Sequence, residues 1–178
     1  MDPAAPIDLH ALEEGMPGIS PRWGAFLAEA SAVCLNHHNH PPGVLLRVTG
    51  LLDQYVPLTW AIAVNKQLLN SWNDQQELAE YGACGVAILA VLRFEGHKVI
   101  RRARKGSKVD YWLASANAEM PFQDAARLEV SGILNGSEAE ATRRVREKVS
   151  QVQQAPGTLP TYVVVVEFSA PQSHMVSP

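Results

Sequence analysis

At 178 residues, 47% of them hydrophobic, the chain is long enough for one domain with a real core, with or without an N-terminal extension. Its formal charge of -3 gives no global attraction to nucleic acid, so any such binding must rest on a local patch. Two cysteines exclude a disulfide framework, no basic start with an apolar run marks a signal peptide, and the longest apolar stretch, Ala83 to Leu92, is too short to span a bilayer; a cytoplasmic protein with no membrane partner is expected.

Residues 1–20 hold three prolines and two glycines with little periodicity, and predict an irregular N-terminal arm. Ser20 then offers an N-cap and Pro21 a first helical residue, followed by a stripe of Trp23, Phe26, Leu27, Ala30 and Val33. The helix ends in a loop at Asn36 to Gly43. Cys34, His37, His38 and His40 gather there, but their spacing matches no paired zinc motif, and a surface histidine loop is the better reading.

Two strands follow, Val44 to Thr49 and Val56 to Ile62, and Pro57 puts the second at an edge or at its first residue. A short helix from Asn65 to Trp72 completes a helix and hairpin subdomain, residues 21–73, expected to pack on a core of residues 74–170. Asp74, with Glu77 as capping-box partner, opens a helix from Gln75 to about Phe94 whose small residues predict close packing on a sheet.

Next come a basic strand, Lys98 to Arg104, and a turn at Lys105 to Ser107. Lys108 to Leu113 reads as a strand with Asp110 and Trp112 on one face and Val109, Tyr111 and Leu113 on the other. Residues 116–125 lack a period and form a loop. In Ala126 to Ile133, Leu128 and Val130 point inward, and Arg127, Glu129 and Ser131 outward. Ser137 and Glu140 form a capping box for a helix to about Gln154, with Ala141, Val145, Val149 and Val152 as its buried stripe. Thr161 to Phe168 has the pattern of a central strand buried on both faces, and residues 171–178 read as a mobile tail. The fold class is α/β, a mixed sheet flanked by helices.

If the strands carrying Asp110 and Glu129 pair, the two carboxylates sit side by side, a geometry suited to a hard divalent cation. The plainer alternative is a pair of solvated acids on the polar face of an antiparallel sheet. The order of elements from residue 75 to 170 is helix, three strands, helix, strand, with acids in the second and third strands. This resembles the restriction-endonuclease-like nuclease superfamily with its PD-(D/E)xK motif. The resemblance implies an αβββαβ core behind an N-terminal helix and hairpin, with Asp110 and Glu129 as ligands of Mg (or Mn). It further implies a third acid from the first core helix, for which Glu80 is the better candidate, and a helix glutamine, for which Gln151 stands.

The chain departs from that motif at Ser131, which occupies the lysine position. Lys148 on the next helix, or Lys105 and Lys108 beside the turn, are the substitutes, with Lys148 taken as catalytic. Six cations in eleven residues, Lys98, Arg101, Arg102, Arg104, Lys105 and Lys108, suggest a phosphate-backbone contact, against which stands an edge strand that repels pairing. Trp112 could wall the site, stack on a base, or pack under a helix.

Two functions remain open at this point. One is a metal-dependent DNA nuclease, or nuclease subunit of a bacterial antiviral defence or DNA-processing complex. The other is a catalytically inactive nuclease fold that holds nucleic acid or protein as a scaffold. A toxin or effector whose basic strand binds an inhibitor is a third possibility. On either main reading a partner chain or a second copy is expected, since 178 residues leave no room for a separate sequence-reading domain.

Overall fold

A run of four valines leaves a strand nothing polar to expose, which suits only the middle of a sheet covered on both faces. The computed structural model, which describes residues 5–120, 125–154 and 157–178, places Val163 to Val166 there, fully buried. The elements are β1 (Ile7–Asp8), a 3-10 helix (Leu9–Leu12), α1 (Pro21–His37), β2 (Val44–Gly50), β3 (Gln54–Thr59) and α2 (Lys66–Ser71). They continue with α3 (Gln75–Glu95), β4 (His97–Arg102), β5 (Tyr111–Ser115), β6 (Ala126–Ile133), α4 (Glu138–Gln153), β7 (Thr161–Glu167) and β8 (Gln172–Val176).

Among the described residues, eight strands form one mixed sheet in the order β1-β3-β2-β8-β7-β6-β5-β4. The fold is α/β, with β6 and β7 parallel across the α4 crossover and β4, β5 and β6 antiparallel. On one face α1 and α3 cover Leu46, Val48, Leu128, Val130, Val164 and Val166. On the other, Val149 and Val152 of α4 pack on Val109 and Val163, while Ala141 and Val145 pack on Ile133 and Val165.

The caps explain where the helices begin. Ser20 Oγ accepts from Trp23 N, Asp74 accepts from Gln76 N and Glu77 N, and Ser137 and Glu140 close both halves of a capping box.

Three expectations need correction. Residues 5–20 are not an irregular arm: Ile7 and Asp8 pair with Leu58 and Thr59, and Leu9 and Leu12 are wholly buried. That pairing starts one residue beyond Pro57, so β3 lies one strand in from the edge while its proline needs no partner there. The tail is no mobile end either, because β8 lies between β2 and β7 and joins the hairpin to the core as a single sheet.

The small residues of α3 divide between two neighbours. Gly82 and Gly85 face α1, where Ser31 Oγ donates to Gly82 O at 2.8 Å, while a Cβ at Gly132 of β6 would strike the Ala79 carbonyl. Since Met175 of β8 is fully buried, Met175→Ala should cost about 2–5 kcal/mol in urea unfolding. A variant ending at Ala170 should not fold; a cooperative wild-type-like transition from it would show that β8 is dispensable.

Candidate active site

Strand β5 pairs with β6 only from Tyr111↔Leu128 to Leu113↔Ala126, yet β6 runs on to Ile133. Beyond Leu128 the β6 edge leaves its partner, and Asp110 fills the place of the missing strand. Its N–H donates to Leu128 O at 2.8 Å, and its Oδ2 accepts from Val130 N at 2.8 Å. Lys108 at φ +61° and Gly106 at φ +89° turn the chain into that position, and Ser107 Oγ donates to Arg104 O.

That turn breaks the alternation expected from sequence. Val109 packs toward α4 with Val152 and Val163, while Tyr111 and Leu113 face α3. Asp110 lies one residue before the regular strand. Trp112 shares no site with it: the indole is half-buried beneath Arg101, whose guanidinium sits 5.7 Å from the ring.

Glu129 shares with Arg127 and Ser131 the β6 face opposite Leu128 and Val130, as expected. That face lies under α4, however, and all three are buried, Glu129 to 3% exposure, so it is not an outer face and the alternative of a solvated acid fails for Glu129. Parallel pairing of β6 with β7 requires a crossover, and the crossover helix roofs this face. Residues 144, 148 and 151 fall on one side of α4 by helical spacing. Lys148 Nζ lies 2.6 Å from Glu129 Oε1, and Gln151 Nε2 donates to the same oxygen at 3.1 Å. Next to them Arg144 Nη1 donates to Ser131 Oγ at 2.9 Å.

A cleft of about 730 Å³ opens between the start of α3, β6 and α4, with Gln151 behind its wall. Asp110, Glu129, Ser131, Lys148, Arg144 and Arg102 all reach it, and Glu80 stands on its wall with Oε1 bonded to Gln76 Nε2 at 3.2 Å. Burial is the largest influence on both site acids. It raises Asp110 above the usual carboxylate range, against the opposing pull of the Val130 N–H and of Lys148. Burial and then the Asp110 charge push Glu129 up to about 7, although Lys148 and Gln151 pull it down. Lys148 is bonded to Glu129, and the Arg102 charge also pulls the Asp110 carboxyl down.

An all-oxygen site of this kind suits Mg or Mn, which would lower both carboxyl pKa values. Among the described residues no group of three His, Cys, Asp or Glu is placed to share an ion. A cation here would rest on Asp110 and Glu129 and keep several waters, as Mg commonly does.

Of the other sequence-derived candidates, Arg102 borders the cleft and the rest lie away from it. Lys108 Nζ reaches Gln154 Oε1 at 3.4 Å, and Lys105 is exposed away from the cleft. Lys98 donates to the carbonyls of Ala116 and Ala118, and Arg102 lies 4.6 Å over the Trp23 ring, so the basic run is not a uniform row of solvated cations. Arg104 is exposed. In the histidine loop, His38 Nε2 bonds Leu134 O and His40 Nε2 bonds Phe168 O and Ser169 O, while Cys34 is buried under α3. Sequence reasoning missed the cleft positions of Arg144, Tyr81, Cys84 and Asn135. Only Arg144 had a signal, its helical spacing to Lys148 and Gln151.

The raised Glu129 pKa has a definite sign in stability. Between its ordinary value of 4.5 and about 7, the folded protein holds a proton that the unfolded chain has released. Stability from this group is therefore full below about pH 4.5 and falls as pH rises through 7. His174, whose pKa is lowered by burial, acts in the opposite direction, and comparison with a variant cancels it. Melting temperature in chelator should fall more steeply from pH 5 to pH 8 for wild type than for Glu129→Gln. Millimolar Mn²⁺ at pH 8 should raise the wild-type value and leave Asp110→Asn unmoved; equal slopes in the two proteins would refute the raised pKa.

No protein family, curated protein or solved structure matches the chain. Among the described residues, no helix is long and apolar enough to cross a membrane.

Proposed function

We propose that the chain is a metal-dependent nuclease of the restriction-endonuclease-like kind, acting on DNA. The observation that carries the reading is the meeting, in one cleft, of Asp110, the buried Glu129 and Lys148, with the ammonium 2.6 Å from Glu129 Oε1. A divalent ion held by the two carboxylates would polarise the phosphoryl oxygens and supply hydroxide near neutral pH. Lys148 has three N–H donors and spends one on Glu129, so the others can orient water or meet charge on the phosphate. Gln151 fixes the Glu129 carboxylate, and Asp110 is fixed by the Val130 amide. Each acid is thus pre-organised, which is where such chemistry gains its rate. Arg101, Arg102, Arg104 and Lys105 would follow the strand leaving the cleft, and a protein partner or a second copy would extend that contact.

The test is cleavage of plasmid and oligonucleotide DNA, and of RNA, with Mg²⁺ or Mn²⁺. Asp110→Ala and Lys148→Ala should each lower the rate at least about 10²-fold. Asp110→Ala should keep its DNA affinity, since losing a carboxylate removes repulsion from phosphate. Log affinity should fall with log salt by about 0.9 per phosphate contacted. No cleavage with either ion, beside salt-sensitive binding that depends on Arg101 and Arg102, would instead favour a scaffold that holds nucleic acid without cutting it.

A further inference from the structure

We propose that Arg144 is a phosphate-contacting cation of this cleft and that Ser131 is the positioning residue that aims it. The proposal rests on the nuclease reading above and assigns to a helix the charge that the resemblance would place on β6. Ser131 is two residues beyond Glu129 on the same face of β6, and it is 7% exposed. Its Oγ accepts Arg144 Nη1 at 2.9 Å, so a neutral buried hydroxyl holds a guanidinium beside the carboxylate pair.

A guanidinium carries five donors in a rigid plane. Arg144 uses one on Ser131, and its Nε lies 3.6 Å from the exposed Glu147, which is a weak, screened pairing. The side chain remains 39% exposed and borders the cleft together with Asp110, Glu129 and Lys148. Donors are therefore left for two oxygens of one phosphodiester, the planar match that arginine makes and lysine does not. Arg144 and Lys148, one turn apart, divide the work: Lys148 is bound to Glu129, and Arg144 is free to face substrate.

Arg144→Gln is the informative variant, because it removes the charge while keeping the aliphatic stem and a polar end on that face of α4. It should lower kcat/KM for cleavage about 10²-fold, the scale of losing one donor to a transition-state oxygen. Arg144→Lys should recover part of the loss. Ser131→Ala should cost less, about three- to tenfold, and add nothing in the Arg144→Gln background, because the two act as one unit. Ser131→Lys in that background should restore at least about tenfold by returning a cation to the strand. Arg146→Ala, an exposed charge removed from the same helix, should stay within about twofold of wild type. A second arm measures anisotropy of a labelled oligonucleotide in Ca²⁺ at fixed salt, where Arg144→Gln should bind at least about tenfold more weakly, as expected for a lost charge-assisted contact.

Cleavage by Arg144→Gln within about threefold of wild type, with Asp110→Ala inactive, would overturn the proposal and leave the nuclease reading standing. If wild type cuts nothing, the nuclease reading fails, and the binding arm alone decides. Unchanged oligonucleotide affinity in Arg144→Gln then overturns the phosphate role too, while a tenfold loss retains it as a binding contact.

Discussion

A buried carboxylate, Glu129, beside a half-buried one, Asp110, is the constraint around which this molecule is organised. A desolvated acid resists ionisation, and a second one next to it resists more. Lys148 is bonded to one of them, Glu129, while Lys148 and Arg102 act on Asp110 without an ion pair as close. Removing one partner from a buried ion pair is strongly destabilising, about 3–5 kcal/mol in well-studied cases, because the other charge is stranded. The arrangement therefore weakens the fold wherever both acids ionise. On the proposed reading a bound cation would relieve that strain, so folding and ion binding would pull in the same direction.

The rest of the structure supplies what such a site requires. Glu129 lies on a strand that cannot move, since β6 is paired with β7 along its length from Arg127↔Thr161 to Ile133↔Glu167. Gly132 lets α3 approach until its Ala79 carbonyl occupies the space of a side chain. Arg127, the first polar residue on the same buried face, is satisfied by Thr161 Oγ1 and the Leu159 carbonyl, so it belongs to the scaffold. Only toward β5 is β6 released, and the cleft opens there. An edge that would otherwise invite pairing is closed by one aspartate side chain accepting the Val130 amide.

Local signals in the sequence were sufficient for most of this. Caps at Ser20, Asp74 and Ser137 started helices where expected, and the valine run marked the central strand. That Lys148 and Gln151 share one face of α4 was legible because helical spacing is a short-range property, whereas their approach to Glu129 was expected from the resemblance alone. What escaped depended on contacts distant in sequence. Gln172, Ser173 and His174 look like a polar tail, yet Ser173 is wholly buried and Gln172 reaches the buried Glu167, so β8 is a strand only because β2 and β7 flank it. The face assigned to Val109 failed, since it packs toward α4 and not with Tyr111 and Leu113, where a positive φ at Lys108 turns the chain into β5. The basic run read as a stripe, but Trp23, Trp112 and two backbone carbonyls engage three of its cations.

Ser131 shows why a motif position and a chemical role can separate. A lysine on β6 would place its ammonium through its own flexible stem, directly from the strand that carries Glu129. Moving the charge to α4 makes its placement depend on how the crossover helix seats, through Val145 against Ile133 and Val165 and Val149 against Val109 and Val163. Small shifts of that helix would move Lys148, Gln151 and Arg144 together, because they share one face at helical spacing. The gain is that two cations and one amide are delivered by a single rigid element, each already bonded to a strand side chain. On the proposed nuclease reading the serine would not be a lost lysine: its neutral hydroxyl on β6 holds the planar Arg144 cation beside the acids without adding a charge beneath the helix.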